Sequence, residues 1–373
     1  MKVTVLSSFP PVKGISPYSK GLVEGLSEYI DVECLGFDSI YPEKLYPGAI
    51  HDDTSESIVQ NKKLKVRNVL NWYNPAQWII EAFRIKTEII HAQWWAYPLA
   101  PIYLIILGVN KLRGKKIVLT IHNVKPHENS KIKALLNRCV FRVADHYIVH
   151  TEQNRKELAR ITNHNKTISV LPHGLIMTKP QGIERLHARG EFGILPSDKI
   201  ILCFGSIREY KGLDTAIQAL ALIVDNNVKL MVAGQCWEDW NQYEELIKCH
   251  QLHNRVILKL GFIPSYDVDS IIKLADLILL PYKHFDAQSG VGALVIPYGI
   301  PIMVSDVGGL TSYAANEELV FEAGNEKELA QKISTIFSNE QLYMESVKAL
   351  DNIKQSLDWR VITKDLVDLY QRL

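Results

Sequence analysis

Two cations three residues apart, Arg208 and Lys211, stand in the segment Ile201-Leu-Cys-Phe-Gly-Ser-Ile-Arg-Glu-Tyr-Lys-Gly212. An apolar run of strand length leads into a loop through Gly205 and Ser206, and Gly212 opens a helical pattern. Glycine lets backbone approach a ligand closely, and the first N–H groups of a helix lack intrahelical partners. Fixed positive charge on such a loop makes a cradle for a diphosphate. A solvated turn with two surface cations has the same spacing. A second segment, Leu280-Pro-Tyr-Lys-His-Phe-Asp-Ala-Gln-Ser-Gly-Val-Gly-Ala-Leu294, repeats the arrangement. A strand ends at Pro281, a polar loop follows, and Gln288-Ser289-Gly290-Val291 leads into a helix. Exposed N–H groups there would bind anionic oxygens and Ser289 adds a hydroxyl, although simple N-capping also accounts for that serine.

Other chemistries find less support. Asp267-Val-Asp269 has the spacing of a carboxylate metal motif, but it opens a helix after Pro264-Ser265, where capping and the helix dipole favour acids. The twelve histidines form no HExxH or similar ligand spacing, so no metal site is expected. No GxGxxG follows the first strand, which disfavours a dinucleotide-dependent dehydrogenase. Cys34, Cys139, Cys203, Cys236 and Cys249 show no CxxC pairing and read as reduced core residues.

The elements that must position these loops alternate strand and helix. Val3–Ser7, Ile89–Ala92, Lys116–Ile121, His146–His150 and Thr167–Leu171 read as strands in the first half. Ile200–Phe204, Lys229–Ala233, Val256–Leu260, Leu277–Pro281 and Ile302–Ser305 repeat the pattern in the second. Their Val/Ile-rich composition without polar alternation suits strands buried on both faces of a parallel sheet. Helical segments fall between, including Tyr18–Tyr29, Ser130–Val143, Leu213–Val224 and Asn241–His250, so βαβ units and doubly wound sheets are expected. At 373 residues two domains are the better prior. The division reads as a Rossmann-like domain over 1–177, a linker over 178–197, a second Rossmann-like domain over 198–356, and a final helix over 357–373 that could pack on either domain. Residues 36–75 are poorly patterned and read as a mobile or membrane-facing loop.

Charge divides unevenly. The chain carries 42 Lys+Arg against 41 Asp+Glu, yet residues 1–177 hold 23 against 15, and the remainder 19 against 26. A basic half fits an anionic partner such as a membrane surface, a lipid diphosphate or an acidic glycan, or simply an uneven solvated surface. The N-terminus lacks a signal-peptide core, and the most apolar stretch, Ala100–Val109, is shorter than the roughly 18 residues a span requires. A cytoplasmic protein is expected, with peripheral contact at an anionic membrane as a further option through Ile102–Leu112, for which core packing is preferred. Nothing points to nucleic acid.

Together these segments resemble the family-4 group of retaining glycosyltransferases, which have the GT-B fold: two Rossmann-like doubly wound parallel-sheet domains facing across a cleft. Phe204-Gly205-Ser-Ile-Arg208-Glu-Tyr-Lys211-Gly212 is similar to that family's diphosphate-binding loop. Leu260-Gly261-Phe262-Ile263, Leu274-Ala275-Asp276 and Gly299-Ile-Pro301-Ile-Met-Val-Ser-Asp306-Val-Gly308-Gly309 resemble later blocks. Gly14-Ile15-Ser16-Pro17-Tyr18 resembles the glycine loop that faces the donor phosphates, and Leu171-Pro-His173-Gly174 the block before the linker.

The resemblance implies a metal-independent, retaining hexosyltransferase without a cofactor, using a UDP- or GDP-linked sugar as co-substrate and a saccharide or lipid-linked saccharide as acceptor. It implies glycan biosynthesis as the setting. The nucleotide base would lie at Gly261–Ile263 and the diphosphate at Arg208, Lys211, Gly14, Ile15 and Ser289-Gly290. His122 would point at the donor sugar, where it could donate a hydrogen bond or buffer developing charge, unless backbone satisfies it. His91, Trp94 and Trp95 could line the acceptor site through stacking aromatic faces, with core packing of the tryptophans an equal alternative. One departure concerns the two acids the family places eight residues apart. Asp286 takes the first position and Leu294 the second, and the Gln288-Ser289-Gly290 variant marks a subset of the family. A nucleotide-sugar epimerase and a non-catalytic sugar-nucleotide-binding protein remain the alternatives.

Overall fold

The computed structural model describes residues 1–12, 14–40, 58, 60–124, 131–162, 166–178, 184–285 and 288–373. They form two compact units, Met1–Ile176 with Leu357–Leu373, and Met177–Ser356.

The first unit runs β1 (Lys2–Leu6), α1 (Ser16–Tyr29), β2 (Asp31–Ser39), β3 (Leu64–Asn71), α2 (Pro75–Arg84), β4 (Ile89–Trp94), α3 (Ala100–Leu112), β5 (Lys116–Ile121), α4 (Lys131–Val143), β6 (His146–Val149), α5 (Glu152–Ile161) and β7 (Thr167–Val170). Its seven strands pair in parallel in the order β3-β2-β1-β4-β5-β6-β7. The second unit runs α6 (Arg185–Glu191), β8 (Lys199–Phe204), α7 (Leu213–Leu222), β9 (Val228–Gly234), α8 (Asn241–Cys249), β10 (Val256–Leu260), α9 (Ser265–Lys273), β11 (Leu277–Leu280), α10 (Gly290–Val295), β12 (Ile302–Ser305), β13 (Val320–Phe321), α11 (Glu326–Ser338) and α12 (Glu340–Ser356). Its six strands, also parallel, follow β10-β9-β8-β11-β12-β13. In each sheet the order reverses beside the first strand, between β1 and β4 and between β8 and β11. Loops at the carboxyl ends of those strands are where open α/β sheets present ligand sites.

Most of the apolar runs that signalled strands are central: β4 is buried throughout, and Val3, Val5, Leu277, Ile278, Ile302 and Met303 are inaccessible, whereas β7 and β10 lie at sheet edges. Helix α3 packs against the sheet through Ile102, Tyr103, Ile106 and Leu107, leaving Leu112 exposed. Within 36–75 the expectation of a loop is overturned where the chain is described. The end of β2 and all of β3 lie there, with α2 beginning at Pro75, while residues 41–57 and 59 fall outside the described residues. Strand β3 escaped notice because it lies at the sheet's edge, where half-exposed positions admit the polar residues of Leu64-Lys-Val-Arg-Asn-Val-Leu-Asn71.

The last helix, α13 (Trp359–Gln371), belongs to the first unit, where it lies on α1. Glycines make room for its anchor. A Cβ on Gly21 would come 2.0 Å from Trp359 Nε1, and one on Gly174 would come 2.4 Å from the same ring. The Trp359 indole donates to the Leu175 carbonyl at 2.8 Å. The cysteines are free; Cys34 is buried, but Cys249 at the end of α8 is exposed rather than part of the core. Among the described residues no helix is long and apolar enough to cross a membrane.

Candidate functional site

Glycines shape the carboxyl edge of the second sheet. Strands β8, β9 and β10 run into Gly205, Gly234 and Gly261, whose φ angles of 99°, 151° and 119° fall where side chains are strained. A Cβ on Gly234 would sit 1.8 Å from the Gly205 carbonyl oxygen. Gly205 N donates to Ala233 O at 2.9 Å and Gly261 N to Gly234 O at 3.0 Å, so the three turns lie flat against one another. Sequence reasoning missed Gly234, although a glycine closing three successive strands was visible in Phe204-Gly, Ala233-Gly and Leu260-Gly.

The cationic loop is braced from below. Gly212, at φ 68°, passes so close to the chain after β11 that a Cβ there would lie 1.9 Å from the Pro281 carbonyl oxygen. Lys283 N donates to Tyr210 O at 2.8 Å, and Lys283 Nζ pairs with Asp214 at 2.6 Å. A single 3-10 turn, Glu209–Lys211, follows the extended Arg208.

Lys211 is half-buried, with its ammonium 5.5 Å above the Tyr282 ring and no hydrogen bond or ion pair among the described residues. Burial, helped by the Arg208 charge, lowers its pKa from 10.5 to about 8. Arg208 is exposed, its guanidinium 5.5 Å from the Trp237 ring centre. The two cations repel each other, and no carboxylate among the described residues answers either. A solvated turn would carry its charges outward, so the geometry favours an anion site.

On the neighbouring loop Ser289 is buried and caps α10, its hydroxyl accepting from Gly292 N at 3.3 Å. The hydroxyl also meets Tyr282 Oη at 3.1 Å, and Tyr313 Oη donates to the Ser289 carbonyl at 3.0 Å. The capping reading therefore holds, and the hydroxyl is committed within the protein. Gln288 donates to Ser312 Oγ at 3.1 Å. Gly290 is exposed, and Val291 lies against Gly205, whose Cβ would come 3.1 Å from its Cγ2. Ser206 and Ile263 are half-buried, and Phe262 is exposed. Asp286 lies outside the described residues. Asp269 is buried and pairs with Lys273 at 2.7 Å.

In the first unit the Gly14 loop follows β1. Ile15 N donates to Ser8 Oγ at 3.1 Å, and Gly14, at φ 111°, lies against the Trp95 ring. The Trp95 indole nitrogen is buried without a hydrogen-bond partner. Trp94 is a core residue, 1 % exposed, packed edge-on to Tyr103 and Phe141. His91 is inaccessible in mid-strand and bonded to Tyr370 Oη at 2.6 Å and Thr120 Oγ1 at 2.7 Å. Neither presents a face to a ligand, so the expectation that His91 and Trp94 line a saccharide site is withdrawn. Both point into a parallel sheet covered on each side, where an aromatic contributes most by packing.

His122 stands just beyond β5, buried, with both ring nitrogens engaged: Nε2 by Gln93 Oε1 at 3.0 Å and Nδ1 by His150 Nε2 at 3.1 Å. Tyr18 meets it edge-on at 4.7 Å. Burial and the neighbouring His150 and His173 push its pKa well below the ordinary value. His150 and Gln93 were not singled out from sequence, and His173 only as part of the block before the linker, though Ile-His91, Ile-His122 and Val-His150 repeat a histidine at or after successive strands.

Comparison with known proteins follows the same division. Residues 14–178 match the Glycosyltransferase Family 4 model and residues 185–353 the Glycosyl transferases group 1 model. An uncharacterised glycosyltransferase of Methanocaldococcus jannaschii is 28% identical over 196 residues, 50% of this chain and 48% of that protein. D-inositol 3-phosphate glycosyltransferase of Nocardia farcinica is 24% identical over 178 residues, 45% of this chain and 39% of that protein. The chain spans about half the length of the curated relatives it matches. In structure, Anabaena HepE in complex with UDP-glucose superposes with a TM-score of 0.73 at 16% identity, covering 100% of both chains. Sucrose-phosphate synthase from Thermosynechococcus elongatus gives 0.72 at 17%, covering 100% of this chain and 99% of that one. Identities this low establish the fold, two parallel-sheet α/β domains of GT-B type. The chain belongs to the GT-B glycosyltransferases, its first unit carrying the family 4 domain and its second the group 1 domain.

Proposed function

We propose that the protein transfers a sugar from a nucleoside diphosphate donor, UDP- or GDP-linked, to a saccharide or lipid-linked saccharide. The observation that carries this reading is the half-buried Lys211 ammonium, without an anionic partner among the described residues, beside Arg208 and three glycine turns. A diphosphate supplies the missing countercharge. As the bond between sugar and diphosphate breaks, negative charge grows on the leaving oxygens, and preplaced cations stabilise that growth more than they stabilise the bound donor. Arg208 and Lys211 do this without a metal, and backbone N–H groups near Gly290 add to it. Family resemblance assigns Gly14, Ile15 and His122 of the first unit to the same donor, the base to Gly261, Phe262 and Ile263, and a part near the sugar to Asp286. It also implies retention of anomeric configuration. The HepE complex with UDP-glucose, a structural neighbour, supports a donor of this class.

The acceptor reading rests on the first unit. Ile79, Ile80 and Phe83 on α2 and Ile132 and Leu135 on α4 are exposed, on two helices that both contact α3. Arg84, Arg138 and Arg142 are exposed on the same helices, which suits a lipid-linked acceptor at an anionic membrane. Incubation with a panel of nucleotide sugars and glycan acceptors tests the function: a glycoside with the donor's anomeric configuration is expected. An isomerised donor without acceptor would make the protein an epimerase, and donor binding without turnover would make it a sensor. Flotation with anionic vesicles tests the membrane; failure to bind assigns a soluble saccharide.

A further inference from the structure

Two segments leave the second sheet side by side. Past the turns at Gly205 and Gly234 the chain keeps a short parallel ladder. Ile207 bridges Cys236, Ile207 N donates to Gln235 O at 2.8 Å, and Trp237 N donates to Ile207 O at 3.1 Å. Successive residues of an extended chain point to opposite sides. Ile207 and Cys236 pack against the core of the unit, so Arg208, itself extended, and Trp237 turn outward together. That register brings the guanidinium 5.5 Å from the centre of an indole that is 36% exposed.

The pairing answers an electrostatic difficulty. Arg208 and Lys211 carry like charges close enough for Arg208 to help lower the Lys211 pKa. A long exposed side chain with nothing to hold it would swing into solvent, away from Lys211. An ion pair would hold it, but the acids of the loop that carries Trp237 are turned elsewhere. Glu238 accepts from Glu209 N at 2.6 Å and from the Tyr243 hydroxyl, and Asp239 accepts from Asn241 N at 3.1 Å. The adjacent Glu209 forms no ion pair with Arg208 among the described residues. What remains for the guanidinium is a ring face, whose quadrupole attracts a cation without cancelling its charge. A carboxylate in that place would compete with an incoming anion; an indole does not.

We propose that Trp237 is a positioning residue that holds Arg208 beside Lys211 before the ligand arrives, so that a diphosphate meets both cations already in place. The inference rests on the nucleotide-sugar reading and adds to it a residue from the loop after β9. Ordering a long cationic side chain in advance removes an entropy cost that binding would otherwise meet. A cation–π contact at an exposed position corresponds to about two- to fivefold in an equilibrium constant.

The test is a double-mutant cycle on the binding of UDP and GDP, read by calorimetry. The indole lies outside the buried core, so replacing it leaves the fold in place. Trp237→Leu keeps an apolar side chain and removes the ring face. It should bind the nucleotide that wild type binds about two- to fivefold more weakly. Trp237→Phe, which retains a ring, should recover most of that loss. In an Arg208→Ala background Trp237→Leu should cost nothing further, because its route to the ligand runs through Arg208. Wild-type affinity in Trp237→Leu overturns the proposal, as does a Phe variant no better than the Leu variant. An equal loss with and without Arg208 also overturns it, since the indole would then touch the nucleotide itself. Failure of wild type to bind either nucleotide instead overturns the functional reading on which the proposal rests.

Discussion

Replacing Lys211 by methionine should make the ligand-free protein more stable while removing its response to nucleotide. The native pKa is lowered from 10.5 to about 8, a displacement that corresponds to roughly 3 kcal/mol against the charged form. Methionine keeps the aliphatic length over Tyr282 and carries no charge. Because the native value lies below the unfolded one, the penalty is fully present below pH 8. Between about 8 and 10.5 the unfolded chain retains a proton the native state has released, so wild type gains stability as pH rises. The second unit, Met177–Ser356, is of a size for which 1 kcal/mol shifts the midpoint by about 2–4 °C. Lys211→Met should therefore melt several degrees above wild type at pH 7, with about 12 °C as a ceiling, and the gap should narrow by pH 10. Millimolar UDP should raise the wild-type midpoint by mass action and leave the variant unmoved. A variant that melts no higher than wild type, with a gap insensitive to pH, would mean that the ammonium already has its partner, and the anion-site argument fails.

Three further outcomes follow from the same geometry. Arg208→Ala and Lys211→Ala should each lower turnover by at least ~10²-fold, measured as initial rate of sugar transfer, if both cations stabilise the leaving diphosphate. Gly234→Ala should force the β8 and β9 turns apart, since its Cβ would lie 1.8 Å from the Gly205 oxygen; nucleotide binding by calorimetry should be lost even in protein whose circular dichroism is native. Gly21→Ala should displace Trp359 and loosen α13, costing about 1–3 kcal/mol in denaturant unfolding, whereas Gly108→Ala, with nothing within 4 Å of its Cβ, should be neutral or stabilising.

The parallel sheets were legible because their inner strands are buried on both faces and spell continuous Val/Ile/Leu runs. Lys116–Ile121, Val256–Leu260 and Ile302–Ser305 have the bounds read from sequence. Edge strands were legible only where the run stayed largely apolar, as in β7 and β10; β3 mixes Lys65, Arg67 and Asn68 into its run, and the two-residue β13 is too short to leave a pattern. The Arg208–Lys211 loop could be picked out because a strand, a glycine and two cations lie within twelve residues. The unit 1 polar chain could not, since Tyr370, His91, Gln93, His122 and His150 are brought together by sheet order and by α13, not by proximity in sequence. Misplacing His91 and Trp94 at a ligand surface had a related cause. A strand end was inferred two residues early, and β4 continues through Trp94 inside the sheet.

The most direct measurement is a crystal structure with UDP bound. Diphosphate oxygens are expected within hydrogen-bond distance of Lys211 Nζ and the Arg208 guanidinium, above the turns at Gly205 and Gly290. Density for the diphosphate at any other place, with Lys211 still lacking an anionic neighbour, would contradict it.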